Sequence, residues 1–425
     1  MTKNNSNWRS WLVVLTAALF FFYEFIQMNL LSGISDAVMT DLHINATQFG
    51  LLSSAYFFST VLFLLVAGIL LDRFSARKII LGSLIICIAG IALFAGAGGL
   101  KVAMIARFLS GIGSAFCFLS VIRLASRWFP PQKMAYVTGC IVTMAMAGAL
   151  VAQTPLTLIL QHLNWRNALM ADAVFGLLIF HLIAIMVKDY PVDQSATNAE
   201  EHKALEKMGY LRSMKLAFFR GQNWLAGGYV CLMNLIVILL GGTWGKLYLM
   251  NTHQLSALDA SYVTSLMFIG AIIGGPLAGW ISDKIKLRRV PMMSGALICL
   301  GLVWALLGLP LTLFSLLALF FLMGVATSTQ VIGYPYVAEN SPRLITAMSV
   351  SVVNISTQAG LFFAEPLFGY LMDLNHKGSV YTAADFHWAM FLFPISFMLA
   401  LITVWKLRET HCKSQADLDK QYVLG

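Results

Sequence analysis

The sequence predicts an all-α polytopic membrane protein: twelve transmembrane helices in two halves of six, with both termini cytoplasmic. Three observations carry the prediction. Of 425 residues, 59% are hydrophobic and 11% charged, whereas a soluble domain carries about 25% charged residues. Apolar runs of spanning length recur along the whole chain, and Lys and Arg collect in alternate connections between them. The longest polar interval, 188 to 221, divides the runs six and six.

A spanning helix needs about 20 mostly apolar residues. The first run, 11 to 32, lacks a small-residue cleavage site and leads directly into another span, so it reads as a retained helix rather than a signal peptide. Further spans are read at 48 to 71, 78 to 98, 102 to 125, 134 to 160 and 166 to 187. The second half supplies 222 to 247, 260 to 282, 290 to 309, 311 to 335, 345 to 371 and 387 to 405. The corresponding domains are 1–190, a connecting loop at 191–221, 222–410, and a tail at 411–425. In the loop, Leu205, Met208, Leu211 and Met214 fall along one side of EEHKALEKMGYLRSMKLAFF. That pattern fits an amphipathic helix on the cytoplasmic surface, or else a linker with local helicity.

Orientation follows from the basic residues. With the N-terminus inside, the inner connections hold Arg73, Arg77, Lys78, Arg123, Arg127 and Lys133, six basic residues from Lys188 to Arg220, and four from Lys284 to Arg289. The outer ones hold Lys101, Arg166, Lys246 and Lys377. The formal charge of +9 therefore reports membrane orientation, and no basic aromatic stretch points to nucleic acid. Five of the six cysteines lie in apolar runs, Cys412 lies in the tail, and no CxxC or HExxH occurs. No metal or cofactor is implied. Without a GxxxxGK[ST] stretch to hold ATP phosphates, uphill work has to draw on an ion or solute gradient. No local nucleophile, base and orienting group assemble, so an enzyme is not expected.

After the second span the chain reads GILLDRFSARK, with Gly68, Asp72, Arg73, Arg77 and Lys78. A twin, GPLAGWISDKIKLRR, places Gly279, Asp283, Lys284, Arg288 and Arg289 at the same spacing, 211 residues later. A motif repeated between the second and third spans of each half argues for an internal structural repeat. It resembles the signature of the major facilitator superfamily, except that Ser75 and Lys286 stand where that signature has glycine. AMIARFLSGIGSA, with Arg107, Gly111 and Gly113, resembles the superfamily's fourth-helix pattern. The resemblance covers nearly the whole chain through its 6+6 layout. It implies two pseudo-symmetric six-helix bundles around a cavity open alternately to each side, and a gating role for Asp72 with Arg127 as a candidate partner. A chain of this kind is expected to work as a monomer.

An acid within a span is a functional candidate by default. Glu24 falls near the middle of the first span, with Gln27 close to the same side. Tyr23, Asn29 and Tyr56 can add hydrogen bonds. Arg107 lies within the fourth span, where an arginine must snorkel, meet solvent or find an acid; Asp172, at similar depth on the sixth, is a candidate ion-pair partner. The second half offers Asn234, Trp244 and Lys246, then Gln330, Tyr334 and Tyr336, then Asn354, Gln358 and Glu365. Asn354 and Gln358 share a helix face, Lys246 either counters a substrate carboxylate or sits at the interface, and Glu365 precedes Pro366. Arg123 lies sixteen residues beyond Arg107, roughly 24 Å along a helix, and reads as a cytoplasmic anchor.

The resulting expectation is secondary active transport of a small polar organic metabolite, coupled to protons, in an inner membrane with its lipids. The solute is a zwitterion such as an amino acid or small peptide, or an organic anion. Polyspecific efflux by proton antiport is the alternative, although GCIVTMAMAGALVAQTP on the fifth span lacks the GP pair frequent in drug exchangers. A receptor or assembly protein is the reading outside transport.

Overall fold

The computed structural model describes residues 3–129, 133–189, 216–341, 346–374, 376, 378 and 381–413. Within its helices, the side chains of 3–7, 65, 68, 69, 72, 73, 134–136, 346 and 347 lie outside the description. So does most of the connecting loop, with the amphipathic stretch expected there.

Every regular element among the described residues is helical, and the elements cluster into two compact units. The first holds α1 (Lys3–Asn29), α2 (Leu31–Asp41), α3 (Ala46–Arg73), α4 (Ala76–Ala95), α5 (Leu100–Trp128), α6 (Met134–Val151), α7 (Thr154–Leu160) and α8 (Trp165–Met186). Gly242–Leu247 clusters with it. Starts are set by side-chain caps: Asn45 with Gln48 for α3, Ser75 for α4, and Asn164 for α8. Core helices touch where a glycine removes the side chain. A Cβ at Gly111 would overlap the Tyr56 carbonyl of α3, and one at Gly90 of α4 would overlap the Ala106 carbonyl of α5.

The second unit holds α9 (Gly221–Ile236), the start of a π-helical turn (Val237–Thr243), the end of α10 (Gly245–His253), then α11 (Ala257–Ile285), α12 (Arg289–Gly308) and α13 (Leu313–Thr327). A 3₁₀ turn (Ser328–Ile332) leads to α14 (Gly333–Glu339), followed by α15 (Thr346–Asp373), α16 (Ala383–Met390) and α17 (Leu392–Lys406). Its pairings repeat those of the first. The helices flanking the twin motif pack alike, α3 on α5 and α11 on α13; α1 on α6 matches α9 on α15, and α4 on α8 matches α12 on α17. Gly270 and Gly324 make the α11–α13 approach reciprocal, each facing a backbone carbonyl of the other helix.

Eleven described stretches are long and apolar enough to cross a membrane. α15, at the place of the expected eleventh span, has 28 residues but carries Asn354, Gln358 and Glu365. Several spans expected as single helices are broken. Proline explains three breaks: Pro155 opens α7 after Gln153, Pro335 lies in the first turn of α14, and Pro394 in that of α17. Proline withholds a backbone N–H and is tolerated at the start of a helix rather than inside one. In the seventh run the adjacent Gly241 and Gly242 lie in the π turn instead.

Candidate functional site

Tyr23, Glu24 and Gln27 share a face of α1, since three- and four-residue spacings align on a helix. All three are fully buried. Gln27 Nε2 donates to Asp172 Oδ2 of α8 at 2.6 Å, and Tyr23 donates its O–H to the Asp172 carbonyl at 3.2 Å. From α5, Arg107 Nη1 donates to the Gln27 carbonyl at 2.7 Å. Gln27 thus stands between the two residues proposed as an ion pair, its side chain on Asp172 and its backbone on Arg107.

Arg107 is itself fully buried, with its guanidinium carbon 4.7 Å from the centre of the Tyr56 ring. The Tyr56 hydroxyl donates to Glu24 Oε2 at 3.2 Å. Local sequence makes this possible. Gly111, four residues beyond Arg107, lets α3 close on α5, and Thr60 Oγ1 fastens the contact by donating to the Tyr56 and Gly111 carbonyls at 2.9 and 3.1 Å. Gly113 leaves space that the Glu24 carboxyl occupies, with Cys87 of α4 on the same spot. Taking a carboxylate and a guanidinium out of water costs several kcal/mol each. A fold does not need that expense at the centre of a helix bundle, so the cluster is a candidate for handling charge.

Two further candidates belong to this unit. Asn29 donates to the Phe25 carbonyl at 2.8 Å, and Gly242 leaves room for its Oδ1. Lys246 is buried within the protein, and its Nζ donates to the Gly33 carbonyl at 3.2 Å and to Thr157 Oγ1 at 3.3 Å. In the second unit Tyr334 donates to Asn354 Oδ1 at 3.0 Å, while Asn234, Gln330 and Gln358 are half-buried and Glu365 is fully buried. Tyr336, in the middle of α14, donates to Gln222 of α9.

The twin motif resolves into two related end structures. Side chains at Gly68, Asp72 and Arg73 lie outside the description. Beyond them Asp189, just after α8, accepts from Ser75 Oγ, from the Arg77 backbone at 3.2 Å and from Arg127 Nη1 at 3.2 Å. Arg77 also reaches the Ala184 carbonyl, whereas the Lys78 side chain is exposed. In the second unit Glu409, just after α17, accepts from the backbones of Arg288 and Arg289 at 2.8 and 2.9 Å. Arg288 also pairs with Asp283 at 2.7 Å and with Glu339 at 2.5 Å. Burial works against the Glu409 charge, but the amides of Arg288, Arg289, His411 and Thr410 outweigh it and hold its carboxyl below the ordinary range. Lys284 lies over the Trp280 ring at 4.8 Å, and Arg289 donates to the Val404 and Trp405 carbonyls. Gly279 faces open space.

Asp189, Glu339 and Glu409 were missed by sequence reasoning. The available signal was positional: Asp189 and Glu409 follow the last helix of each half. The two lost glycines also differ. Ser75 caps α4, accepting from the Lys78 backbone, while Lys286 closes α11 in the left-handed region at φ 53°, where glycine is at ease and lysine is strained.

The Major Facilitator Superfamily profile matches residues 15–261 and 232–421. The chain belongs to the Major Facilitator Superfamily. As such it is a membrane transporter rather than an enzyme, and an integral inner-membrane protein. Among curated relatives it is 23% identical to the probable galactarate/D-glucarate transporter GudP of Escherichia coli, over 94% of this chain and 93% of the relative. It is 23% identical to the hexuronate transporter of Bacillus subtilis, over 84% and 79%, and 24% identical to the probable sulfoacetate transporter SauU of Cupriavidus necator, over 68% and 69%. The superfamily fold is shared with the solved D-xylose-proton symporter, at TM-score 0.75 and 15% identity over 95% of this chain and 99% of that one.

Proposed function

We propose that this transporter carries a small organic anion of the sugar-acid kind by alternating access, coupled to protons. Both termini face the cytoplasm, and one chain is the working unit. The observation that carries the reading is Arg107, a fully buried guanidinium held beside an equally buried acid, Glu24. A buried cation suits a carboxylate, and the relatives are named for galactarate, D-glucarate, hexuronate and sulfoacetate, all acids. Among the solute classes expected, this favours the anion over the zwitterion.

In this reading Arg107 meets the solute's charge, with Lys246 as a second cation of the same unit. Glu24 holds the coupling proton, and within the second unit Tyr334, Asn354, Gln330, Gln358 and Asn234 offer neutral hydrogen-bonding groups. The twin motif governs opening. Flux in proteoliposomes tests the proposal. Labelled D-glucarate or D-glucuronate should exchange in counterflow and accumulate under an imposed inward proton gradient. Glu24→Gln should keep counterflow and lose accumulation, and equal accumulation by the variant would remove Glu24 from coupling. Competition by apolar cations without anion flux would instead support efflux.

A further inference from the structure

Glu24 and Asp172 are two acids served by one guanidinium. A chain of contacts joins them: Asp172 to the Gln27 amide at 2.6 Å, the Gln27 carbonyl to Arg107 at 2.7 Å, Arg107 over Tyr56, and the Tyr56 hydroxyl to Glu24 at 3.2 Å. The proposed function uses Glu24 and leaves Asp172 without a task. The side chains that meet its carboxyl are neutral, the Gln27 amide and the Tyr23 phenol, and Asp172 sits on α8 between outward residues such as Met170 and Val174.

The elements packed against α8 bring few other ionisable groups to Asp172. From α1 come Tyr23 and Glu24; α4 brings Cys87, α5 contributes Arg107 across Gln27, and α7 has none. On α2, Asp41 is taken by Arg166 at 2.7 Å, and Asp36 is an electrostatic neighbour of Lys246. Two carboxylates and one guanidinium leave one net negative charge. A bound organic dianion would raise it to three, in a region where water cannot screen like charges. One proton on each acid turns that cluster into a net cation able to receive an anion.

We propose that Asp172 is a second proton-carrying acid alongside Glu24, so that a dianionic solute moves with two protons. The inference rests on the anion-carrying reading above. Each carboxylate accepts one proton from the side where the solute binds and releases it on the other; no bond within the solute changes.

Infrared difference spectra of the full-length protein in lipid, acid against alkaline, test the second acid without any solute. Glu24→Gln and Asp172→Asn should each remove a distinct protonated-carboxyl band. Asparagine keeps the shape and an oxygen for Gln27. An Asp172→Asn spectrum identical to wild type overturns the proposal. In proteoliposomes with the membrane potential clamped at zero, the logarithm of the D-glucarate accumulation ratio should rise with the pH difference at a slope of about two in the wild type and about one in Asp172→Asn. A wild-type slope of about one overturns the proposal even if the variant does not fold. Loss of the Asp172 band in a protein that never moves D-glucarate would sink the anion reading and leave the second acid standing.

Discussion

The two units share their helix pairings but not their interiors. In the first, Glu24, Arg107 and Asp172 gather around Gln27 and Tyr56. In the second, Tyr334 donates to Asn354, Tyr229 meets Thr329 and the Met292 carbonyl, and Glu365 and Asp385 are buried acids. Its strong ion pairs lie at the helix ends, where Arg288 holds Asp283 and Glu339. What the repeat kept is the end structure, an acid after the last helix capping the one that follows the motif. What diverged is the charge inside. A duplicated scaffold can thus keep its end structures while its interior charge diverges.

Arg107→Met should break that contrast most severely. It removes the buried cation of the first unit, and anion affinity should fall by roughly 2–5 kcal/mol, read by binding or counterflow. Asn354→Ala in the second unit should weaken binding far less. If the two variants lose affinity equally, the halves do not divide the work as described.

The end structures sharpen the comparison. Arg288 is 6% exposed at its side chain and pairs with Asp283 and Glu339, whereas Arg127 is 10% exposed and pairs with Asp189. Leaving the largely covered Glu339 without its guanidinium, with Thr410 still donating to it, should make Arg288→Met cost about 3 kcal/mol. Arg127→Met should cost less, because Asp189 keeps the Ser75 hydroxyl and the Arg77 amide as donors. Thermal unfolding in detergent, followed by tryptophan fluorescence, gives the order.

Much of the architecture was legible because it is written in local sequence. Apolar runs and a motif repeated 211 residues apart need no knowledge of contacts. Glu24 and Arg107 were legible for the same reason, since a charge in a span declares itself. The bridge through Gln27 was not, because spacing along one helix says nothing about which neighbour its amide meets. Nor was the role of Asp189, Glu339 and Glu409, ordinary acids at helix ends until the fold closes them onto a distant helix start. The broken spans lay between these cases: Pro155, Pro335 and Pro394 were visible, but read as passengers in long apolar runs.

Gly113→Ala tests the room left for the Glu24 carboxyl. The added methyl should displace it, lower stability by about 1–2 kcal/mol and reduce gradient-driven uptake more than counterflow. The same change at Gly279, which faces open space, should do neither. The smallest effect is expected at Lys286. Because its φ is 53°, Lys286→Gly should stabilise the protein by roughly 0.5–1 kcal/mol, visible as a small rise in melting temperature. A fall would mean that the lysine side chain contributes more than its backbone costs.

The π turn at Val237–Thr243 has a consequence for how this transporter can evolve. Such a turn holds a surplus residue relative to an α-helix. Deleting one residue from it would restore regular winding and swing everything downstream by about 100° about the helix axis. Lys246 would then leave Gly33 and Thr157 without any substitution at the lysine itself. A single codon gained or lost here re-aims a buried lysine, so relatives that differ by one residue in this stretch should be expected to differ in what that lysine meets.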